Sequence, residues 1–363
     1  MKGAPLLNLV LAVVLTMAVG QLLVIGRPIL VPIITAVISV YLMSSATEAL
    51  RRAPVLRHLP SAALRALVLL IFALGLYAFA VVVASTIGEI AGVAPGYQQN
   101  FEALADRLEQ RFDVDMQKVL DDAFRVTFGG MDLRAVILGV LGGFTSVGST
   151  AFLVVIYAAF LMVEQPGFPA KLSAALGDPQ DARDAAGILS QINARIGEYL
   201  AVKTLINLIL GGLCLGILLA MGSDFALFWA IVIALLNYIP YVGSLLGVAF
   251  PVLLSVAQEG SVGHSLALAA MLIAAQISVG NVLEPRMIGR QLNLSPFAVM
   301  AALSVWSAIW GLAGAILAVP MTAMLVIVLE HFPATRFLAV LMWNEVPPQG
   351  AAPRPESPDE ARG

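Results

Sequence analysis

From Gly280 to Pro320 the chain reads GNVLEPRMIGRQLNLSPFAVMAALSVWSAIWGLAGAILAVP, and most of it is apolar enough to lie in lipid. Yet it carries Asn281, Glu284, Arg286, Arg290 and Asn293, and it is interrupted by Pro285, Pro296, Gly311, Gly314 and Pro320. An anchoring helix needs neither the polar groups nor the breaks. Hydrocarbon holds no water to satisfy a freed N–H or C=O. Interrupted backbone therefore persists at membrane depth only inside protein or against a water-filled cavity. The stretch reads as the working site of a membrane transporter.

The rest of the chain agrees with a membrane setting. Only 12% of its 363 residues are charged and 60% are hydrophobic, against about 25% charged in soluble domains. The expected fold is an all-α polytopic membrane protein. The formal net charge of −3 argues against nucleic acid as a partner. His58, His264 and His331 are scattered, with no H-E-x-x-H, so no metal or other cofactor is expected. No G-x-x-x-x-G-K-[ST] occurs, which argues against self-contained ATP-driven transport, and no Gly-x-Ser-x-Gly elbow or intramembrane aspartate pair suggests an enzyme. Cys214 lies in an apolar run and reads as a small core residue.

Eight apolar segments follow one another. The first, Leu6–Ile25, has the length of a span and exceeds the core of a signal peptide. The second, Ile29–Ala46, follows at once and makes a tight hairpin with it. Arg51, Arg52, Arg57 and Arg65 then cluster with His58, which places that loop and the N-terminus in the cytoplasm. A third segment from Leu64 to about Ile90 completes a first unit, residues 1–90. Residues 91–134 form a polar insert in which Phe101, Leu104, Leu108 and Phe112 recur at helical spacing, predicting amphipathic helices in a small extracytoplasmic subdomain. The fourth span covers 135–163. A cytoplasmic connector, 164–197, carries a helix start at Asp178-Pro179.

The transport core is expected over 198–330. Its first turns hold Tyr199, Lys203 and Asn207, four apart and so on one face. That face either lines an aqueous vestibule or lets Lys203 snorkel to the interface. The sixth segment, Phe225–Val256, is too long for a span and is broken at Asn237-Tyr238-Ile239-Pro240-Tyr241-Val242-Gly243. The eighth, Pro296–Leu329, is likewise too long and broken at Gly311–Gly314 and Pro320, while the seventh, Ser265–Val282, is of ordinary length. Paired Gly/Pro-interrupted segments point to a secondary transporter's binding site. Arg286 and Arg290 fall on the cytoplasmic side if the sixth segment is a re-entrant hairpin and on the outer side if it crosses; the positive-inside rule favours hairpins and cytoplasmic termini. Residues 331–363 read as an interfacial helix at Arg336–Trp343 and a Pro-rich disordered tail.

Each polar residue has a structural alternative. Asn237 and Tyr238, beside Pro240, could hold a solute, or Asn237 could patch its own broken backbone. Gln276 and Asn281 either bind solute or join helices. Glu284 is a proton-coupling or gating carboxylate, or the partner of a neighbouring arginine. The candidate solute site therefore comprises Asn237, Tyr238, Pro240, Gly243, Gln276, Asn281, Gly311, Gly314 and Pro320. Lys203, Glu284, Arg286 and Arg290 are the coupling or gating candidates.

Several of these stretches, in order, resemble the autoinducer-2 exporter (AI-2E) family. They are Tyr199-Leu200-Ala201-Val202-Lys203-Thr204, Leu236 to Gly243, Gly280 to Arg290, and Gly311-x-x-Gly314 with Val319-Pro320. The resemblance spans roughly residues 5 to 340. It implies a bacterial inner-membrane, multi-pass transporter that assembles as a homo-oligomer. Some members of the family are linked to export of the quorum-sensing signal autoinducer-2, others to sodium or lithium/proton antiport. Three functions stay open on the sequence: an exporter of a small polar metabolite working by alternating access, a cation/proton antiporter using Glu284, and a membrane scaffold acting through residues 91–134.

Overall fold

A chain in lipid must satisfy its own backbone hydrogen bonds, and among the described residues this one does so with helices. The computed structural model describes residues 4–52, 56, 58–112, 150–288 and 292–345. Helix α1, Ala4–Ile25, turns at Gly26 into α2, Arg27–Arg52, with Pro28 in the first turn, where its missing N–H costs nothing. Helix α3 is Ser61–Phe112 and α4 covers residues 150–164. A short turn leads to α5, Phe168–Leu176. These are followed by α6, Pro179–Ala220, α7, Ala226–Leu236, α8, Val242–Glu259, and α9, Val262–Ser278. A π-helical turn, Val279–Leu283, joins α9 to α10, Glu284–Ile288. Last come α11, Pro296–His331, and α12, Arg336–Met342. Among the described residues, seven helical stretches are long and apolar enough to cross a membrane.

Two helices run past the apolar segments read from the sequence, and one of them begins where Asp178-Pro179 predicts a helix start. Helix α3 does not end near Ile90 but continues as helical backbone to Phe112. Residues 113–149, with the rest of the polar insert and the start of the fourth span, lie outside the described residues. Helix α6 starts at Pro179, well before Glu198. Asp178 caps it, its carboxylate accepting from the Gln180 N–H at 2.7 Å. The 164–197 stretch thus contains the polar first half of one long helix. Falling hydropathy marks where a helix leaves the apolar layer, not where it stops.

Helices α2, α3 and α4 pack around Ala36, Val40, Met43, Val68, Val154, Ala158 and Met162. Helix α6 crosses α2 at Gly197, where a Cβ would stand 2.7 Å from the Ser45 hydroxyl. It meets α7 at Gly211, where a Cβ would touch Ala234 at 3.0 Å, so small residues set both approaches. Two residues from Gly197, Arg195 lies 3.9 Å from Glu330, with half of the arginine side chain exposed. Such a pair contributes little. Arg195→Gln is expected to change stability by less than about 1 kcal/mol, read as a thermal midpoint in detergent close to that of the unaltered protein.

Both long broken segments fold back on themselves. Helix α7 has 11 residues, about 16 Å of helix against a hydrocarbon core of about 30 Å. Gln258, near the end of α8, accepts from the Asp224 N–H at 2.8 Å and donates to the Gly222 carbonyl at 2.9 Å. The start of α7 and the end of α8 therefore sit together, and the pair is a helical hairpin. Trp229 stacks on Phe250 across its two arms, ring centroids 6.0 Å apart. In α11, Gly311 breaks the helix with φ 63° and ψ −139°. The Trp306 indole N–H then donates to the Thr322 hydroxyl at 3.0 Å. Sixteen residues of straight helix would hold them about 24 Å apart, so α11 is a second hairpin. The Ser295 N–H bonds the Met342 carbonyl at 2.9 Å and ties its base to the end of α12.

Candidate functional site

Where the first hairpin turns, Asn237, Tyr238 and Pro240 leave the helical path. Tyr241 takes φ 62°, an unusual value for a tyrosine, and α8 begins at Val242. Gly243 closes the turn: a Cβ there would stand 1.8 Å from the Leu236 carbonyl oxygen. The tip lies against the middle of α6. Asn237 Nδ2 donates to Asn207 Oδ1 at 2.7 Å, and the Tyr238 and Thr204 hydroxyls lie 2.6 Å apart. Asn207 is 3% exposed, and its own Nδ2 has no partner. Gln276, on α9, is half-buried beside Gly247 of the hairpin, and its Nε2 is also unpartnered.

One turn along α6, Lys203 Nζ donates to Glu284 Oε1 at 2.6 Å. The lysine side chain is 7% exposed and the glutamate 28%. Tyr199, the turn before, lies within electrostatic reach of Glu284 and Tyr238. Glu284 is therefore paired with a lysine 81 residues away and, among the described residues, with no arginine. Arg286 is exposed and Arg290 lies outside the described residues. Glu284 directly follows the π turn Val279–Leu283. A π turn takes up more residues than an α turn and resets which side chains beyond it face inward. Asn281, inside that turn, is exposed and stands apart from the amide cluster.

The second hairpin's tip meets other partners. Gly311 faces Arg27 at the α1–α2 turn, whose guanidinium Nη2 would stand 3.2 Å from a Cβ. The Trp310 indole N–H donates to the Leu23 carbonyl at 3.0 Å. At Gly314 a Cβ would stand 1.9 Å from the Trp306 carbonyl oxygen. Pro320 is buried in the returning arm. The arms pack on the core that surrounds the first tip: Leu303, Ala315 and Ala318 share a cluster with Ile206, Ile233, Leu236 and Ile239. The two breaks are thus joined through packing, while their tips touch different residues.

Sequence reasoning named Asn207 and Tyr199 through their shared face with Lys203, but it passed over Thr204 and Arg27. A hydroxyl beside a buried lysine and a lone arginine between two apolar segments were the available signals. Chemically, the tip of the first hairpin offers amide N–H donors and hydroxyls in an apolar shell, one turn from a buried ion pair. Among the described residues no group of His, Cys, Asp and Glu could hold a metal.

Residues 8–334 match the family model described as AI-2E family transporter. A Borreliella burgdorferi protein named "Putative transport protein" is 32% identical over 65% of this chain and 64% of its own length. The "Putative transport protein YhhT" of Escherichia coli (strain K12) is 32% identical over 67% of this chain and 64% of its own length. The chain thus matches a little under two thirds of each of these relatives. The AI-2 transport protein TqsA of the same E. coli strain is 29% identical over 71% of this chain and 74% of its own length.

Proposed function

The chain belongs to the AI-2E transporter family, and from that premise we propose that it exports a small polar metabolite by alternating access, with autoinducer-2 the first solute to test. The relative TqsA, an AI-2 transport protein, supports that choice of solute. In this reading the protein sits in the bacterial inner membrane as a homo-oligomer with both termini in the cytoplasm. The solute binds where Asn237 and Tyr238 meet Asn207 and Gln276. Gly243, Pro240, Gly311, Gly314 and Pro320 keep the breaks that make room for it. Lys203 and Glu284 hold α6 to the π turn, and their separation opens one side.

One observation carries the reading. Asn207 is buried with its oxygen taken by the Asn237 Nδ2, and its own N–H, near the Tyr238 hydroxyl, makes no well-formed hydrogen bond. A buried donor without a partner costs about 1–3 kcal/mol, and a solute hydroxyl or carbonyl would satisfy it. A bare cation would not, which favours an oxygen-bearing solute over sodium. The antiport reading keeps one supporting observation, the pairing of Glu284 with Lys203, since a proton arriving at Glu284 would release the lysine.

Both readings meet in proteoliposomes. Labelled autoinducer-2 should be transported, and Asn237→Ala should lower its rate by about tenfold, a loss near 1.4 kcal/mol, with the protein still eluting as a folded peak. Undiminished transport by an Asn207→Ala/Asn237→Ala double variant would remove the site assignment. Sodium-driven proton movement that survives in that double variant and vanishes in Glu284→Gln would establish antiport instead.

A further inference from the structure

A second polar site lies where the facing ends of α2 and α3 meet α6. A cavity of about 490 Å³ is lined there by Ser44, Glu48, Arg51, Arg65 and Glu198. Two arginines thus face two glutamates. Arg51 lies 3.7 Å from Glu48. Among the described residues Arg65 and Glu198 have no ion-pair partner. A neighbouring cavity of about 540 Å³ is walled by Val40, Leu161, Phe168 and Leu189. The two share Gln165 and Asn193. A charged compartment therefore continues into an apolar one.

The position suits a lipid. Beyond Arg27 at its start, helix α2 carries no charge until its last turns, where Glu48, Arg51 and Arg52 appear. That change marks the level at which hydrocarbon gives way to headgroups. The two compartments have the chemistry of the two ends of a phospholipid. A phosphate forms charge-assisted bonds to guanidinium groups. The two carboxylates oppose a headgroup that is only anionic and call for a cation beside the phosphate. A primary ammonium brings three N–H donors for carboxylate oxygens, whereas a quaternary ammonium brings none. The cavity is separate from the amide cluster. Glu198 precedes Lys203 by five residues, so it points about 140° away from it around α6.

We propose that these joined cavities bind a phospholipid with a phosphoethanolamine headgroup. The phosphate lies on Arg51 and Arg65, the ammonium on Glu48 and Glu198, and an acyl chain runs along Val40 and Leu161. The lipid fills the seam between α6 and the layer formed by α2, α3 and α4.

Native mass spectrometry of the purified full chain tests this, with phosphatidylethanolamine, phosphatidylcholine and phosphatidylglycerol of matched chains added at equal concentration. Phosphatidylethanolamine should be retained about tenfold over the other two. Arg65→Gln and Glu198→Gln should each remove most of that preference, while Arg183→Gln, on α6 outside the cavity, should keep it. Equal retention of phosphatidylcholine would show that no carboxylate holds the ammonium and would overturn the proposal. So would a preference for phosphatidylglycerol, the mark of a plain cationic patch. Displacement of the lipid by soluble glycerophosphoethanolamine at the same concentration would assign the site to a free metabolite and overturn the lipid reading. These comparisons use the unaltered protein and hold even if a variant fails to fold.

Discussion

Gly243→Ala and Gly314→Ala are each expected to remove most of the folded protein. A methyl at Gly243 would stand 1.8 Å from the Leu236 carbonyl oxygen and 2.5 Å from its carbon. At Gly314 it would stand 1.9 Å from the Trp306 oxygen and 3.0 Å from the Trp310 Cβ. The obstacles include backbone atoms of the same hairpin, so no side chain can swing away to relieve them. Relief requires opening the turn, which pulls Asn237 from Asn207 in one case and Trp306 from Thr322 in the other. Overpacking in a core costs about 1–3 kcal/mol when side chains can adjust. Here they cannot, and a loss above about 3 kcal/mol is expected for each. Gly212→Ala is the control: nothing lies within 4 Å of its Cβ position, and alanine in a helix gains roughly 0.5–1 kcal/mol over glycine. Fluorescence-detected gel filtration with a heat ramp reads all three. A Gly314→Ala protein that melts with the Gly212→Ala control would show that this hairpin is not held closed at Trp306.

Those glycines also show what the sequence could disclose. Two apolar segments too long to be single spans, each with a glycine pair and a proline, announced two broken elements. The arginines after the seventh span favoured re-entry, and the 11-residue α7 is too short to cross the hydrocarbon core by itself. Gly243 and Gly314 emerged from that pattern as structural equivalents, each crowded by a carbonyl a few residues earlier. The pairing of polar residues was less legible. Tyr199, Lys203 and Asn207 fall on one face by simple periodicity, but their partners lie on other helices. The sequence offered Glu284 a neighbouring arginine, Arg286 or Arg290, because both lie close along the chain. The π turn before it changes which side faces inward, and no composition signal separates five π residues from five α residues. Asn281, equally polar and equally close in sequence, is left exposed for the same reason. Thr204 escaped notice because a hydroxyl that can bond its own helix, as Thr204 does to the Leu200 carbonyl at 2.6 Å, looks self-sufficient.

Charge removal at the Lys203–Glu284 pair should be asymmetric. Glu284→Gln leaves the ammonium of a side chain that is 7% exposed without its counter-ion. Breaking a buried pair from one side costs about 3–5 kcal/mol, and Lys203 has little water to turn to. Lys203→Met leaves a carboxylate that is 28% exposed and can rehydrate, so its loss should be the smaller. A Lys203→Met/Glu284→Met double variant removes both charges and should recover most of the stability lost in Glu284→Gln, since apolar replacement of a whole buried pair is often neutral or better. Stability and transport then separate the roles of the pair. If the pair is the latch between α6 and the π turn, the double variant folds, melts near the unaltered protein and moves autoinducer-2 poorly in proteoliposomes, because one state is no longer held against the other. A double variant that is both stable and fully active would make the ion pair structural filling and leave the solute site to Asn207, Asn237, Tyr238 and Gln276 alone.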